Sequence, residues 1–228
     1  MKLSIIIPAL NEEAVIADLL AYLQRHASSG TEVILADGGS TDATRSIAEA
    51  MGVKVLRCER KGRGPQMNCA AAVATGDILY FLHADTFPPQ GFEQQLRQAV
   101  GQGHGSGCYR LQFDLPHWFL RLNAWFTRFD ADAVRFGDQS LFVRRDVFEK
   151  ANGFDERLRL LEDQEIIGRL RKYGAFVVLP QQVTTSARKY SQHGVYKIQL
   201  GYFLIYALYK LGASQERLVR VYKRLLQR

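Results

Sequence analysis

Cysteine is scarce: Cys58, Cys69 and Cys108 are the three in 228 residues. They lie far apart and three cannot all pair, which excludes a disulfide-stapled scaffold. None stands in a Cys-x-x-Cys pair, which argues against a thiolate metal centre. A reducing compartment, the cytoplasm, is the expected location. Long apolar runs are missing too. The most apolar stretch, Leu200–Tyr209, lies between Lys197 and Lys210 and falls well short of the roughly 20 residues a spanning helix needs. The first residues, Met1–Ile7, reach Pro8 without a small-residue cleavage site, so they read as a buried strand and not as a secretion signal. There is no internal repeat and no low-complexity linker. What remains is ordinary globular material, 47% hydrophobic and 23% charged, which excludes a disordered or fibrous chain.

Acidic residues are nearly absent from one region only. Residues 188–228 hold nine Lys/Arg and a single acid, Glu216, whereas residues 1–187 hold 21 Lys/Arg against 22 Asp/Glu. The net charge of +7 therefore belongs to the tail. A general nucleic-acid surface is not indicated; a basic, aromatic tail suits an anionic membrane surface.

The first half alternates short β-rich runs with helical patterns. Strands are expected at Leu3–Ile7, Glu32–Asp37, Val53–Arg57 and Ile78–Leu82, with helices over Asn11–His26, from Thr41, and over Pro65–Thr75. This alternation predicts an α/β fold, a mostly parallel sheet covered by helices. The second half is less regular. Gly101–Gly107 reads as a flexible turn, Tyr109–Leu115 as a strand and His117–Phe129 as an aromatic helix. Further strands are expected at Ser140–Val143 and Ala175–Leu179, and a helix at Glu162–Tyr173. Two helices close the chain, roughly His193–Leu211 and Ser214–Leu226. The expected organisation is one domain over 1–190. Basic amphipathic helices over 191–228 are appended to it.

Chemistry concentrates at the expected strand ends, where ligands of parallel sheets bind. The first strand runs into Pro8, Asn11 and Glu12. The second ends in Asp37-Gly38-Gly39-Ser40-Thr41-Asp42, a turn whose glycines admit a ligand to the backbone and whose hydroxyls cap the next helix. Arg57–Gly64 sets cations and two glycines before a helix N-terminus, a shape suited to a diphosphate. The fourth strand ends in His83-Ala84-Asp85, where one carboxylate offers a hard ligand to a divalent metal. Each of these alone is also what a plain turn or a solvated loop looks like.

Together, Ser4–Glu13, Ala36–Asp42, the Lys61/Arg63/Asn68 region, Phe81–Asp85, Phe136–Gln139, Asn152–Asp155 and Leu161–Glu165 resemble the family 2 glycosyltransferases. The likeness is to small stand-alone bacterial members with His-Ala-Asp, Gly-Asp-Gln and Glu-Asp motifs. The resemblance spans about residues 3–190 and implies the GT-A fold, an αβα sandwich with a C-terminal helical appendage, its nucleotide-binding half over 1–100 and its acceptor half over 101–190. It implies that Pro8, Asn11, Glu12, Asp37, Lys61, Arg63, Asn68, His83 and Ala84 contact the nucleotide, and that Asp85 binds Mg²⁺ or Mn²⁺. It also implies that Asp163 is the general base, that Asp138, Gln139 and Glu162 line the acceptor side, and that Arg188 belongs to a loop closing over the diphosphate. His83 stands where the family's first metal-motif acid is expected. The processive synthases' Gln-x-x-Arg-Trp is missing, which points to transfer of one sugar.

The implied reaction is inverting transfer from a nucleotide-diphosphate sugar to an acceptor hydroxyl. Two alternatives share an α/β nucleotide sandwich: a sugar-phosphate nucleotidyltransferase, which needs a Gly-rich triphosphate loop where Pro8–Asn11 stands, and a non-catalytic nucleotide-binding or membrane-adaptor protein, favoured only by His83. The tail face of Leu218, Tyr222, Leu225 and Leu226, with Tyr202, Tyr206 and Tyr209, is expected either at the inner face of the cell membrane or docked on the protein. The aromatic stretch from His117 to Phe126 lies where an acceptor lid would form, and such a lid suits a lipid-linked or aromatic acceptor.

Overall fold

The computed structural model describes residues 1–135 and 137–226; Phe136 (the first residue of the Phe136–Gln139 motif), Gln227, Arg228 and the Leu226 side chain lie outside the described residues. β1 (Leu3–Ala9) is buried along its whole length. Its side chains alternate, Ile5 and Ile7 entering one core and Ile6 the other, as the period of a strand requires. β2 (Glu32–Asp37) and β4 (Ile78–Phe81) flank β1 in parallel, and β3 (Lys54–Arg57) extends the parallel run beyond β2. β7 (Leu141–Arg144) pairs antiparallel to β4, and β6 (His104–Phe113) antiparallel to β7. β8 (Ala175–Thr185) runs parallel to β6, and the short β5 (Thr86–Phe87) pairs antiparallel to it, giving the order β3-β2-β1-β4-β7-β6-β8-β5.

Helices cover both faces. α1 (Ile16–His26), α2 (Thr44–Ala50) and α4 (Phe92–Gly101) bury Leu19, Leu23, Ala48, Phe92 and Leu96 in the first core. α3 (Arg63–Val73), α6 (Arg145–Lys150) and α7 (Glu162–Leu170) bury Met67, Phe148 and Ile166 in the second. A third cluster joins α5 (Trp118–Phe126), α8 (Arg188–His193), α9 (Val195–Lys210) and α10 (Gln215–Leu226) through Leu120, Tyr190, Ile198, Ile205 and Leu218.

Three sequence expectations change, and one left open is decided. α1 starts at Ile16 and not at Asn11, because Asn11 adopts a left-handed φ of 56° and the Glu12 carbonyl takes the N–H groups of Val15 and Ile16. The segment from Gly101 is no flexible turn past residue 103: β6 starts at His104, and its glycines serve close approach. A Cβ on Gly107 would sit 2.3 Å from the Val177 carbonyl oxygen, and one on Gly105 would sit 2.8 Å from the Gly174 Cα. The penultimate helix divides at Gly194 (φ 89°) into α8 and α9. Finally, the apolar face of α10 is docked, with Leu218 fully buried and Val221, Tyr222 and Leu225 packed on the third cluster.

Candidate active site

The ends of β1 and β2 are fastened into one floor. The Asn11 N–H donates to Ser40 Oγ (3.0 Å), the Thr41 N–H to Asn11 Oδ1 (2.9 Å), and the Glu12 N–H to Thr44 Oγ1 (2.8 Å). Asp37 is completely buried at the end of β2. Its carboxylate accepts from the N–H groups of Gly39 (3.0 Å) and Ser40 (3.1 Å) and lies 3.7 Å from Arg45 Nε. The Gly-Gly turn is thus shaped by the very acid that precedes it. Pro8 lies in β1 level with Ala36.

At the end of β4 the chain delivers His83, Ala84 and Asp85. His83 is buried and shares a hydrogen bond with Asp138 across Nδ1···Oδ1 at 2.9 Å. Asp138 belongs to a 3-10 turn, Gly137–Gln139. On its other side this turn receives Asp163 from the first turn of α7: a Cβ on Gly137 would lie 2.1 Å from Asp163 Oδ2 and 3.1 Å from His83 Cε1. Asp163, His83 and Asp138 therefore meet around a residue that has no side chain, and a Cβ there would displace the Asp163 carboxylate. Arg188, at the start of α8, forms an ion pair with Glu12 and lies 3.6 Å from Asp85 Oδ2. It closes the gap between the β1 and β4 ends as a cation.

Charge is unevenly shared here. Desolvation pulls the Arg63 guanidinium down, but Glu162, Asp163 and Asp138 outweigh it and raise it. Burial resists ionisation of Asp138, yet the His83 hydrogen bond and charge, with Arg63 and Lys189, hold its carboxyl down at about 2. Burial and Asp163 push the Glu162 carboxyl up, against the pull of Arg63. Asp85 is also raised, first by burial and then by Asp138, while His83 and Arg188 oppose the shift. Among the described residues five carboxylates thus face two arginines, one lysine and one histidine, a cleft in which added positive charge would be welcome. Backbone strain gathers in the same segments: Asn11 (φ 56°), Ser140 (φ 58°) and Leu161 (φ 67°) hold left-handed conformations beside Glu12, Gln139 and Glu162. For a leucine this is a costly state, of the kind kept at functional sites.

Among the sequence-predicted residues, the structure brings together Glu12, Arg63, His83, Asp85, Asp138, Glu162, Asp163 and Arg188. Asn11 and Asp37 build the floor, and Ala84 is buried between His83 and Asp85. Lys61 is exposed on the loop before α3. Two placements differ from expectation. Gln139 is fully buried, its amide donating to the Tyr109 carbonyl (2.9 Å), so it supports the turn from beneath and does not line an acceptor surface. Asn68 turns to a different loop. Its amide donates to the Phe154 carbonyl (2.9 Å) and its oxygen accepts from the Phe154 N–H (2.8 Å), beside a separate polar cavity of about 560 Å³.

Two residues were missed. Gln66, buried on α3, donates from Nε2 to both the Ala9 (2.7 Å) and Ala36 (2.9 Å) carbonyls, pinning the two strand ends together. A lone Gln between Pro65 and Met67 on an Ala-rich helix was its signal. Tyr202, expected either at a membrane or docked on the protein but not at the cleft, is half-buried, and its hydroxyl is raised first by burial and then by Asp138, which puts it within electrostatic reach of the cleft.

The sequence profile described as "Glycosyl transferase family 2" matches residues 4–145. The chain belongs to that family. Its curated relatives include a PGL/p-HBAD biosynthesis glycosyltransferase of Mycobacterium tuberculosis, 30% identical over 70% of this chain. Another is the uncharacterized glycosyltransferase EpsJ of Bacillus subtilis, 26% identical over 70% of this chain. The chain spans 66% and 53% of their respective lengths. Among solved structures, the mannosyltransferase PcManGT of Pyrobaculum calidifontis, in complex with GDP-Man and Mn²⁺, superimposes with a TM-score of 0.73 at 18% identity, covering 99% of this chain and 68% of its own. S. aureus TarS with UDP-GlcNAc gives 0.67 at 20% identity, covering 82% and 58%. The glucosyl-3-phosphoglycerate synthase of M. tuberculosis with Mn²⁺ and UDP gives 0.60 at 20% identity, covering 93% and 80%. At these identities the likeness establishes the GT-A fold of this glycosyltransferase domain.

Proposed function

We propose that this chain transfers one sugar from a nucleotide-diphosphate sugar to an acceptor hydroxyl, with inversion at the anomeric carbon. The observation that carries the reading is the Asp163 carboxylate, seated on Gly137 beside His83 in the same cleft as Arg63 and Asp85. The nucleotide would lie on the β1–β2 floor, against Asn11 and the Asp37 turn. Arg63 and Arg188 would face the diphosphate, where negative charge grows as the anomeric C–O bond breaks. Asp163 would accept the proton of the acceptor hydroxyl as its oxygen bonds to the anomeric carbon from the opposite side, while the electron pair of the broken bond leaves with the diphosphate. Fixing donor and acceptor in one cleft removes much of the entropic barrier.

A divalent cation fits the Asp85 corner on the chemistry of its donors. Asp85 and Glu12 are hard oxygen ligands, and burial, then the Asp138 charge, raises the Asp85 carboxyl even with Arg188 at 3.6 Å, a bias that a bound cation would oppose. Among the described residues no three His, Cys, Asp or Glu side chains converge on one point, so Asp85 would hold Mg²⁺ or Mn²⁺ together with diphosphate oxygens and water. Such an ion supplies Lewis-acid neutralisation of the departing diphosphate. Calorimetric titration of UDP and of GDP, each with and without Mn²⁺, tests the donor site. The expected result is binding of one nucleotide, strengthened by Mn²⁺ and lost in Asp85→Ala; binding of neither by the folded protein contradicts the reading.

A further inference from the structure

Among the described residues no helix is long and apolar enough to cross a membrane, and the apolar face of α10 is spent on α9. A different surface is left bare. On α5 and just beyond it, Trp118, Leu122, Trp125, Phe126 and Phe129 are all exposed, at the helical spacing of one face. On α9, Tyr196, Leu200, Phe203 and Leu204 form a second exposed stripe, with Leu200 at 63%. The stripes join, because the Tyr196 ring lies 5.1 Å from that of Phe119 and 6.4 Å from that of Trp118. So large a continuous apolar ridge is uncommon on a surface that meets only water.

The ridge is edged with positive charge. Arg128 stacks over Trp125 at 4.4 Å, Lys210 lies 5.4 Å from the Tyr206 ring, and Arg121 and Lys197 are exposed alongside. Asp130 and Asp132 at its end are paired with Arg135, Arg171 and Lys210. A cavity of about 630 Å³ opens beside α5, with Arg121, Arg128 and Trp125 in its wall; Asp114, which also lines it, accepts the Ala187 N–H. The outward face of α10 adds Arg217, Arg220, Lys223 and Arg224. Exposed aromatic and aliphatic side chains framed by arginine and lysine match an interface whose depth is apolar and whose surface is anionic.

We propose that the α5–α9 ridge seats this protein on the surface of an anionic lipid bilayer, the aromatic side chains entering the headgroup boundary and the surrounding cations meeting lipid phosphates. The tail helix contributes charge and not apolar contact, and the docking is independent of the transfer chemistry. Because Tyr202 lies on the inward side of the same α9, the seated protein holds its cleft close to the lipid surface. Vesicle flotation of the full chain tests this. Flotation with phosphatidylcholine–phosphatidylglycerol vesicles, weak flotation with phosphatidylcholine alone, and a drop of about tenfold or more for Leu200→Glu/Phe203→Glu are expected. Both positions are exposed, so circular dichroism and melting should match the wild type. Arg121→Glu/Arg128→Glu should also reduce binding and flatten its salt dependence. No flotation of the wild type, or equal flotation of Leu200→Glu/Phe203→Glu, overturns the proposal. So does a wild-type dimer without flotation that the same double variant dissociates, which would make the ridge an interface between copies.

Discussion

A single missing methyl group at Gly137 decides where Asp163 can sit. The Cβ of alanine would fall 2.1 Å from Asp163 Oδ2, and the carboxylate, at the end of a flexible side chain, would swing away. Gly137→Ala should therefore leave melting almost unchanged while lowering kcat about 100-fold, since an ångström of misplacement costs that much; steady-state kinetics beside a melting curve checks this. Glu162 makes a second prediction. Its buried carboxyl is raised above the usual 4.5 by burial and by Asp163, so the folded state holds a proton that the unfolded chain releases. Stability should fall as pH rises from about 4.5 toward neutrality, and Glu162→Gln should remove that fall in urea titrations across the range. Residues such as Asp85 and Asp163 were legible because they stand at a strand end and a helix start. Gln139 and Asn68 were not, because the groups that claim them, Tyr109 and Phe154, are 30 and 86 positions away.

Elements set those residues in place. Gln66 on α3 ties β1 to β2 through two carbonyls, and removing its amide takes a donor from each, although the Ala9 carbonyl keeps the Gly38 N–H. Gln66→Ala should cost about 1–3 kcal/mol in urea unfolding and weaken nucleotide binding along with stability. On β6, Gly107→Ala would press a methyl onto the Val177 carbonyl oxygen and the Phe142 ring. Both are fixed parts of the sheet and its core, so a loss of about 2–3 kcal/mol is expected from the same measurement. The parallel strands were legible because buried apolar runs alternate with helical stripes, a pattern set by local periodicity. The strand at Gly105 and Gly107 was hidden because glycine marks both turns and close approach, and only Gly174, Val177 and Phe142 show which applies.

At the scale of the molecule, a doubly covered sheet brings three strand ends, one 3-10 turn and the starts of α3, α7 and α8 to one cleft. A helical cluster built on α5 and α9 stands against that cleft. The order of the motifs was enough to foresee the sandwich and the cleft. The outward stripe on α9 was not foreseeable, since the tyrosines and leucines of Leu200–Tyr209 divide between a buried and a bare side only once α10 has docked. In the proposed mechanism Asp163 removes the acceptor's proton without holding the donor. The most direct test of that role is Asp163→Asn, with nucleotide affinity measured by calorimetry beside the rate of sugar release or transfer from the nucleotide-sugar that binds. Unchanged affinity with turnover lowered about 10²–10⁴-fold is the predicted result. Turnover close to wild type, or nucleotide binding lost together with turnover, would contradict it.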